Sequence, residues 1–181
     1  MSLTDLLTPD EVLAQVAQAL PESVRPHVIV IGSLAAGYHY FQGDGAAAIR
    51  TKDVDCMLFP HDKAVAAAAA VTQQMRSAQW MQREDARWAQ AGDSSTPLEQ
   101  LPMVRLRPPS GDEWFLELLS APPKYQGQPL GKLLERVHTE DGDYAICSFG
   151  FLSLVEYMPL ETHYGIRIAR PEMMALANML H

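Results

Sequence analysis

The chain has 181 residues, of which 48% are hydrophobic and 20% charged, and it carries a formal net charge of -8 at pH 7. That length suits one domain, or one domain with a small appendage, and is enough to bury a proper core. The acidic balance argues against sequence-blind DNA binding, which needs many Lys/Arg contacts to phosphates, and no apolar run approaches the roughly 20 residues of a membrane span.

The N-terminus, Met1-Ser2-Leu3-Thr4-Asp5, has no basic stretch and does not read as a signal peptide. Two cysteines, Cys56 and Cys147, make no disulfide framework, so a reducing cytoplasm is the expected compartment. A local basic pocket from Arg50, Lys52, Arg105 and Arg107 is compatible with the charge balance if the fold gathers them; singly, each reads as a surface charge.

In chain order, Thr8-Pro9-Asp10-Glu11 predicts a helix start, with Thr8 as cap, Pro9 at the first position and Glu11 three residues on. Val12, Leu13, Val16 and Leu20 follow at helical spacing until Pro21. Residues 27–31 are short and rich in Val and Ile, which predicts a buried strand. Gly32-Ser33 then leads into a short helix over 34–41, and Gln42-Gly43-Asp44-Gly45 reads as a loop. Residues 52–58 predict a second strand, ended by Pro60, and the Ala-rich stretch 61–75 a helix. A third strand is expected over 78–83, then a polar loop at 92–97.

Met103–Arg107 and Trp114–Leu119 flank Pro108-Pro109-Ser110-Gly111-Asp112, a hairpin signature. Residues 121–131 read as loop and 144–149 as a strand after the Asp141-Gly142 turn. A short helix at 152–157, a strand at 165–169 and a helix from Pro171 complete the chain. The last helix, rich in methionine, reads as core rather than as a ligand groove. It reaches the end with its apolar face still running, which predicts a truncated segment: one domain over 1–170 and the start of a C-terminal helix over 171–181.

Strand alternation puts Thr51, Asp53, Asp55 and Met57 on one face and Lys52, Val54, Cys56 and Leu58 on the other. Two carboxylates about 7 Å apart along a strand can converge on one metal or on a metal pair. Oxygen-only ligands suit magnesium or manganese. Taken alone, Asp53-Val54-Asp55 reads as a strand end with two solvated acids. Gly32-Ser33 at a helix entry exposes backbone N–H groups toward an anion; taken alone it reads as an ordinary helix cap. Glu117 is the odd residue in the apolar run Trp114–Leu119, and an unpaired buried charge costs several kcal/mol. A metal shared with Asp53 and Asp55 satisfies it; so does a salt bridge to Arg105 or Arg107, or an edge facing water. His61-Asp62 lacks the partner histidines of a metal phosphohydrolase site and reads as a helix first turn.

The order Ile31-Gly32-Ser33, then Asp53-Val54-Asp55-Cys56, then Glu117 resembles the nucleotidyltransferase superfamily that includes polymerase beta. Gly32-Ser33-Leu34-Ala35-Ala36 and Arg50-Thr51-Lys52-Asp53-Val54-Asp55 are most similar to its stand-alone bacterial members, including toxin-type enzymes of abortive-infection systems. Tyr164–Glu172 is similar to the step into their helical C-terminal part. The likeness covers roughly 27–119. It departs in the length of the 42–50 loop and in having glutamate where aspartate is commoner.

The resemblance implies an α/β (α+β) fold, a mixed sheet flanked by helices. It implies transfer of a nucleoside monophosphate from an NTP to a hydroxyl acceptor, a small molecule, protein or tRNA, with release of pyrophosphate. Gly32, Ser33, Thr51 and Lys52 are then the nucleotide-binding residues, and Asp53, Asp55 and Glu117 the catalytic acids and ligands of Mg2+ (or Mn2+). The glutamate and the abrupt C-terminus keep open a catalytically weak or inactive nucleotide-binding module acting through a partner protein, as in a toxin–antitoxin pair; a metal-dependent phosphohydrolase using the same acids is a third alternative.

Overall fold

The computed structural model describes residues 8–41, 52–83, 90–124 and 132–179. Within them a nine-stranded mixed sheet is flanked by helices, the architecture of a mixed α/β chain. Helix α1 (Pro9–Ala19) begins on the expected capping box: the Glu11 backbone N–H donates to Thr8 Oγ1 at 3.2 Å, and the Thr8 N–H donates to Glu11 Oε2 at 2.7 Å. Strand β1 (Val28–Ile31), buried at every position, passes without a loop into α2 (Gly32–Phe41), two residues earlier than the apolar pattern predicts. Strand β2 (Asp53–Leu58) and helix α3 (His61–Ser77) follow as expected.

The third strand is shorter than its prediction over 78–83. Ala78 caps α3 and Gln79 turns in the left-handed region (φ 67°), so only Met81–Gln82 pair as β3. Strands β4 (Arg105–Arg107) and β5 (Phe115–Ser120) form the predicted hairpin, with Leu106 opposite Leu116 and Arg105 opposite Glu117. Strand β6 (Leu133–Thr139), which the sequence reading left unassigned, pairs along its whole length with β7 (Gly142–Ser148). Residues 150–156 form a 3-10 helix, slightly ahead of the helix expected at 152–157. The strand expected at 165–169 narrows to β9 (Arg167–Ile168), paired with β8 (Leu160–Glu161), and α4 covers Pro171–Met179. The expected loop at 42–45 lies outside the described residues, as does most of 121–131.

The sheet order is β3-β4-β5-β2-β1-β9-β8, and β7 joins at β5. Strand β1 runs antiparallel to β2, and β2 runs parallel to β5 through the α3 connection. Across β5 from β2, β4 pairs with residues 116–117 and β7 with Leu119, so two strands share one edge of β5.

Two apolar clusters sit on opposite faces. Val28, Val30, Val54, Cys56, Leu116 and Leu118 point under α1, α2 and α3. Ile29, Ile31, Met57, Leu119 and Cys147 point the other way, beneath the 150–156 segment and α4. No described helix is long and apolar enough to cross a membrane.

Leu118 is fully buried at the centre of the first cluster. Leu118→Ala is expected to lower the unfolding free energy by about 2–5 kcal/mol, measured by urea denaturation, because it removes buried methyl groups and leaves a cavity.

Candidate functional site

Along β2, Asp53 is exposed, Val54 buried, Asp55 half-buried and Cys56 buried. This is the period-2 alternation of a strand, so both aspartates project from the face opposite Val54 and Cys56. Register then carries Asp55 across four strands. Ile31 of β1 lies opposite Asp55, Asp55 opposite Glu117 of β5, and Glu117 opposite Arg105 of β4. These four residues form one transverse row on the second-cluster face, where the apolar floor meets the end of the sheet.

Gly32 closes the row. Its φ is 74°, and a Cβ placed on it would stand 3.1 Å from Asp55 Oδ2. Glycine therefore serves twice here: it takes the left-handed conformation that starts α2 directly from β1, and it lets the Asp55 carboxylate approach the backbone at the helix N-terminus. Ser33 follows on the exposed side.

Arg105 grips Glu117 with two parallel hydrogen bonds, Nε to Oε2 at 2.9 Å and Nη2 to Oε1 at 3.2 Å. Of the candidate partners for this acid, the structure chooses Arg105. The guanidinium lies 6.0 Å from the Phe115 ring centroid, and Arg83 lies 4.1 Å from the same centroid. Asp55 receives less compensation. Burial, the neighbouring charge of Asp53 and that of Glu117 push its carboxyl up to about 7, against a smaller opposing pull from Arg105.

The row opens on a cavity of about 780 Å³. Gly32, Ser33, Asp55 and Glu117 line it, so the structure brings four of the sequence-derived residues together. Asp53 and Lys52 are exposed and stand outside the lining, and Thr51 lies outside the described residues. The sequence reading does not include Lys132, Cys147, Phe149, Phe151 and Met174 as lining residues, and it weighs Arg105 as a surface charge, a salt-bridge partner or part of a local basic pocket, not as a neighbour of Asp55. For Arg105 the signal was present: the hairpin register around 108–112 sets it opposite Glu117.

The expectation that the methionine-rich last helix is core is corrected. In α4 only Ala177 is buried, Met179 is 82% exposed, and Met174 and Asn178 face the cavity. The helix is short, and it packs against the 150–156 segment and α2 with one side only.

Carboxylate oxygens suit Mg2+, and Asp55 lies in a net-negative, partly desolvated place that a cation would relieve. Among the described residues, however, no group of three or more His, Cys, Asp or Glu side chains is arranged to hold a metal. Arg105 occupies both oxygens of Glu117. A cation at this place would have Asp55 and, on the same strand face, Asp53 as its carboxylates, with the remaining positions left to waters or substrate phosphates. His61 is engaged elsewhere: its Nδ1 donates to Ala121 O at 2.9 Å. Cys147, raised to about 11 by burial, remains a thiol near neutral pH and is no nucleophile.

Comparisons with protein-family models, with characterised proteins and with solved structures find no match to the chain.

Asp55 yields a pH prediction. Its folded-state pKa, about 7, lies above its ordinary value of 3.8, so between these values the native state holds the proton that the unfolded chain releases. The unfolding free energy must then fall as pH rises through this window. Asp55→Asn is expected to remove that slope and to exceed the wild type in stability above pH 7 by about 2–4 kcal/mol, with partial exposure favouring the lower figure. Denaturation curves of both proteins between pH 4 and 8 measure it; parallel pH profiles would contradict the assignment.

Proposed function

We propose that the chain is a magnesium-dependent nucleotidyltransferase with the polymerase-beta type of site, moving a nucleoside monophosphate from an NTP to a hydroxyl acceptor. The observation that carries this reading is the Asp55 carboxylate, set against Gly32 at the start of α2, in one row with Glu117 and Arg105, at the mouth of a nucleotide-sized cavity.

Asp53 and Asp55 would hold the Mg2+ ion, which when bound supplies neutralisation of phosphate oxygens. Gly32 and Ser33 present backbone N–H groups and a hydroxyl at a helix N-terminus, where phosphate is favoured. Arg105 and Lys132 add positive charge on the cavity wall. The acceptor hydroxyl attacks the α-phosphorus, the bond to the bridging oxygen breaks, and pyrophosphate departs with that oxygen. Glu117 accepts the hydroxyl proton. Arg105 orients it, and each carboxylate oxygen keeps a second lone pair for that proton. The two free cysteines support a reducing, cytoplasmic setting, and the resemblance in sequence offers the toxin-type branch as a biological context.

Thermal denaturation tests the binding half. With millimolar Mg2+, at least one of ATP, CTP, GTP and UTP is expected to raise the melting temperature by several degrees, and Asp53→Ala with Asp55→Ala to abolish the rise. No shift with any of the four would sink the proposal. The rise should also grow as pH passes upward through 7, because Asp55 must lose its proton to bind the cation.

A second reading, a nucleotide-binding module without turnover, is favoured by the Arg105 grip on Glu117. Transfer of label from α-phosphate-labelled NTP separates the two. An enzyme predicts labelled acceptor plus pyrophosphate, with Glu117→Gln lowering turnover about 100- to 10,000-fold while nucleotide affinity stays within a few-fold. Nucleotide-induced stabilisation without any transfer would select the module, and release of nucleoside monophosphate to water alone would identify a hydrolase.

A further inference from the structure

The cavity changes character along its length. Near Gly32 it is lined by Asp55, Glu117 and Arg105; beyond them Leu119, Cys147, Phe149, Phe151, Leu152 and Met174 line it. The geometry follows from the sheet. Leu119 lies two residues past Glu117 on β5, so the two share a face, and Leu119 is opposite Cys147 on the parallel strand β7. Phe149 continues two residues further in extended conformation (φ -134°, ψ 142°), so it falls on the face of Cys147. Glu117 and the Phe149 position are thus separated by about 13 Å along the strands and by one strand spacing of about 4.8 Å across them.

Phe149 and Phe151 are stacked, with ring centroids 5.4 Å apart and planes 18° from parallel. Both rings are half-buried against the second core cluster, and both residues line the cavity. Lys132 Nζ stands 6.0 Å from the Phe149 centroid. Flat π-surface with an adjacent ammonium, about 13 Å along the strands from the row that holds Asp55 and Glu117, suits a planar heteroaromatic ring attached to phosphates better than a branched or saturated group.

We infer that this aromatic end is a nucleobase subsite, in which the base of the bound nucleoside triphosphate stacks on the Phe149–Phe151 pair. The inference rests on the reading of the Asp55 end as the triphosphate site. Stacking tolerates any base, because every base has a π-face. The pair therefore supplies affinity for nucleotides as a class and leaves the choice among them to groups at the base edge.

Calorimetric titration with Mg2+ present tests this on three kinds of probe: inorganic tripolyphosphate, the four NTPs, and the corresponding nucleosides. At least one NTP is expected to bind about 5- to 100-fold more tightly than tripolyphosphate. Phe149→Leu and Phe151→Leu should each remove most of that advantage while leaving tripolyphosphate affinity unchanged. Phe151→Trp should retain it, with the new indole fluorescence quenched by NTP and not by tripolyphosphate.

NTPs no tighter than tripolyphosphate, or folded leucine variants with unaltered NTP affinity, would overturn the inference while leaving the triphosphate site standing. Nucleosides that bind in a Phe-dependent way when tripolyphosphate does not bind would keep the subsite and overturn the phosphate reading. Failure of all three probes overturns both. If the leucine variants do not fold, ring-proton shifts of Phe149 and Phe151 in the wild type on adding NTP decide: movement supports stacking, and its absence refutes it.

Discussion

Charge imbalance on one sheet face is the constraint around which the site is organised. Asp53, Asp55 and Glu117 project from the same side of two adjacent strands, and Arg105 reaches the last of them with two of its three guanidinium nitrogens. Fork-to-fork geometry commits the guanidinium to Glu117. Asp55, half-buried between two other acids, is left with a raised affinity for a proton. A purely structural cluster would gain by replacing Asp55 with an uncharged residue. Retaining a carboxylate there costs stability above neutral pH and makes the position receptive to any cation, proton or metal.

The topology concentrates these groups without a long loop. Because β2 and β5 are parallel, their first residues lie at the same edge of the sheet; because β1 is antiparallel to β2, its last residue meets that edge too. Two acid-bearing strands therefore begin where a third ends and releases a helix. Gly32 can make that release only in a left-handed conformation, and its missing Cβ leaves room for the Asp55 oxygen. Gly32 and Asp55 are thus one feature, although 23 positions separate them in the chain.

Local periodicity explains which parts were legible from the sequence. The capping box at Thr8, the all-apolar strand at 28–31, the Ala-rich α3 and the hairpin around 108–112 each carry a short-range signal that tertiary packing respects. The shared face of Asp53 and Asp55 follows from strand alternation alone. Strand β6 was not legible because Leu133-Leu134-Glu135-Arg136-Val137-His138-Thr139 alternates neither hydrophobic nor polar residues cleanly; it is a half-exposed strand whose existence depends on β7. The shortening of β3 depends on Gln79 turning left-handed, an adjustment that residue type does not announce. Phe149, Phe151 and Lys132 entered the site through long-range pairing, which no window of sequence contains.

The glutamate at position 117 is intelligible from the same register. Arg105 sits directly opposite it, one strand spacing away, and holds both of its oxygens. An aspartate, one methylene shorter, would hold its carboxylate closer to the backbone and nearer to Asp55, whose proton affinity the Glu117 charge already raises. Glutamate separates the two acids, gives one to arginine and leaves the other for the cavity. The departure from the aspartate-rich pattern is therefore coupled to Arg105: acid and base form one unit across the hairpin. This arrangement leaves Asp55 facing the cavity and Glu117 held in a fixed orientation beside it.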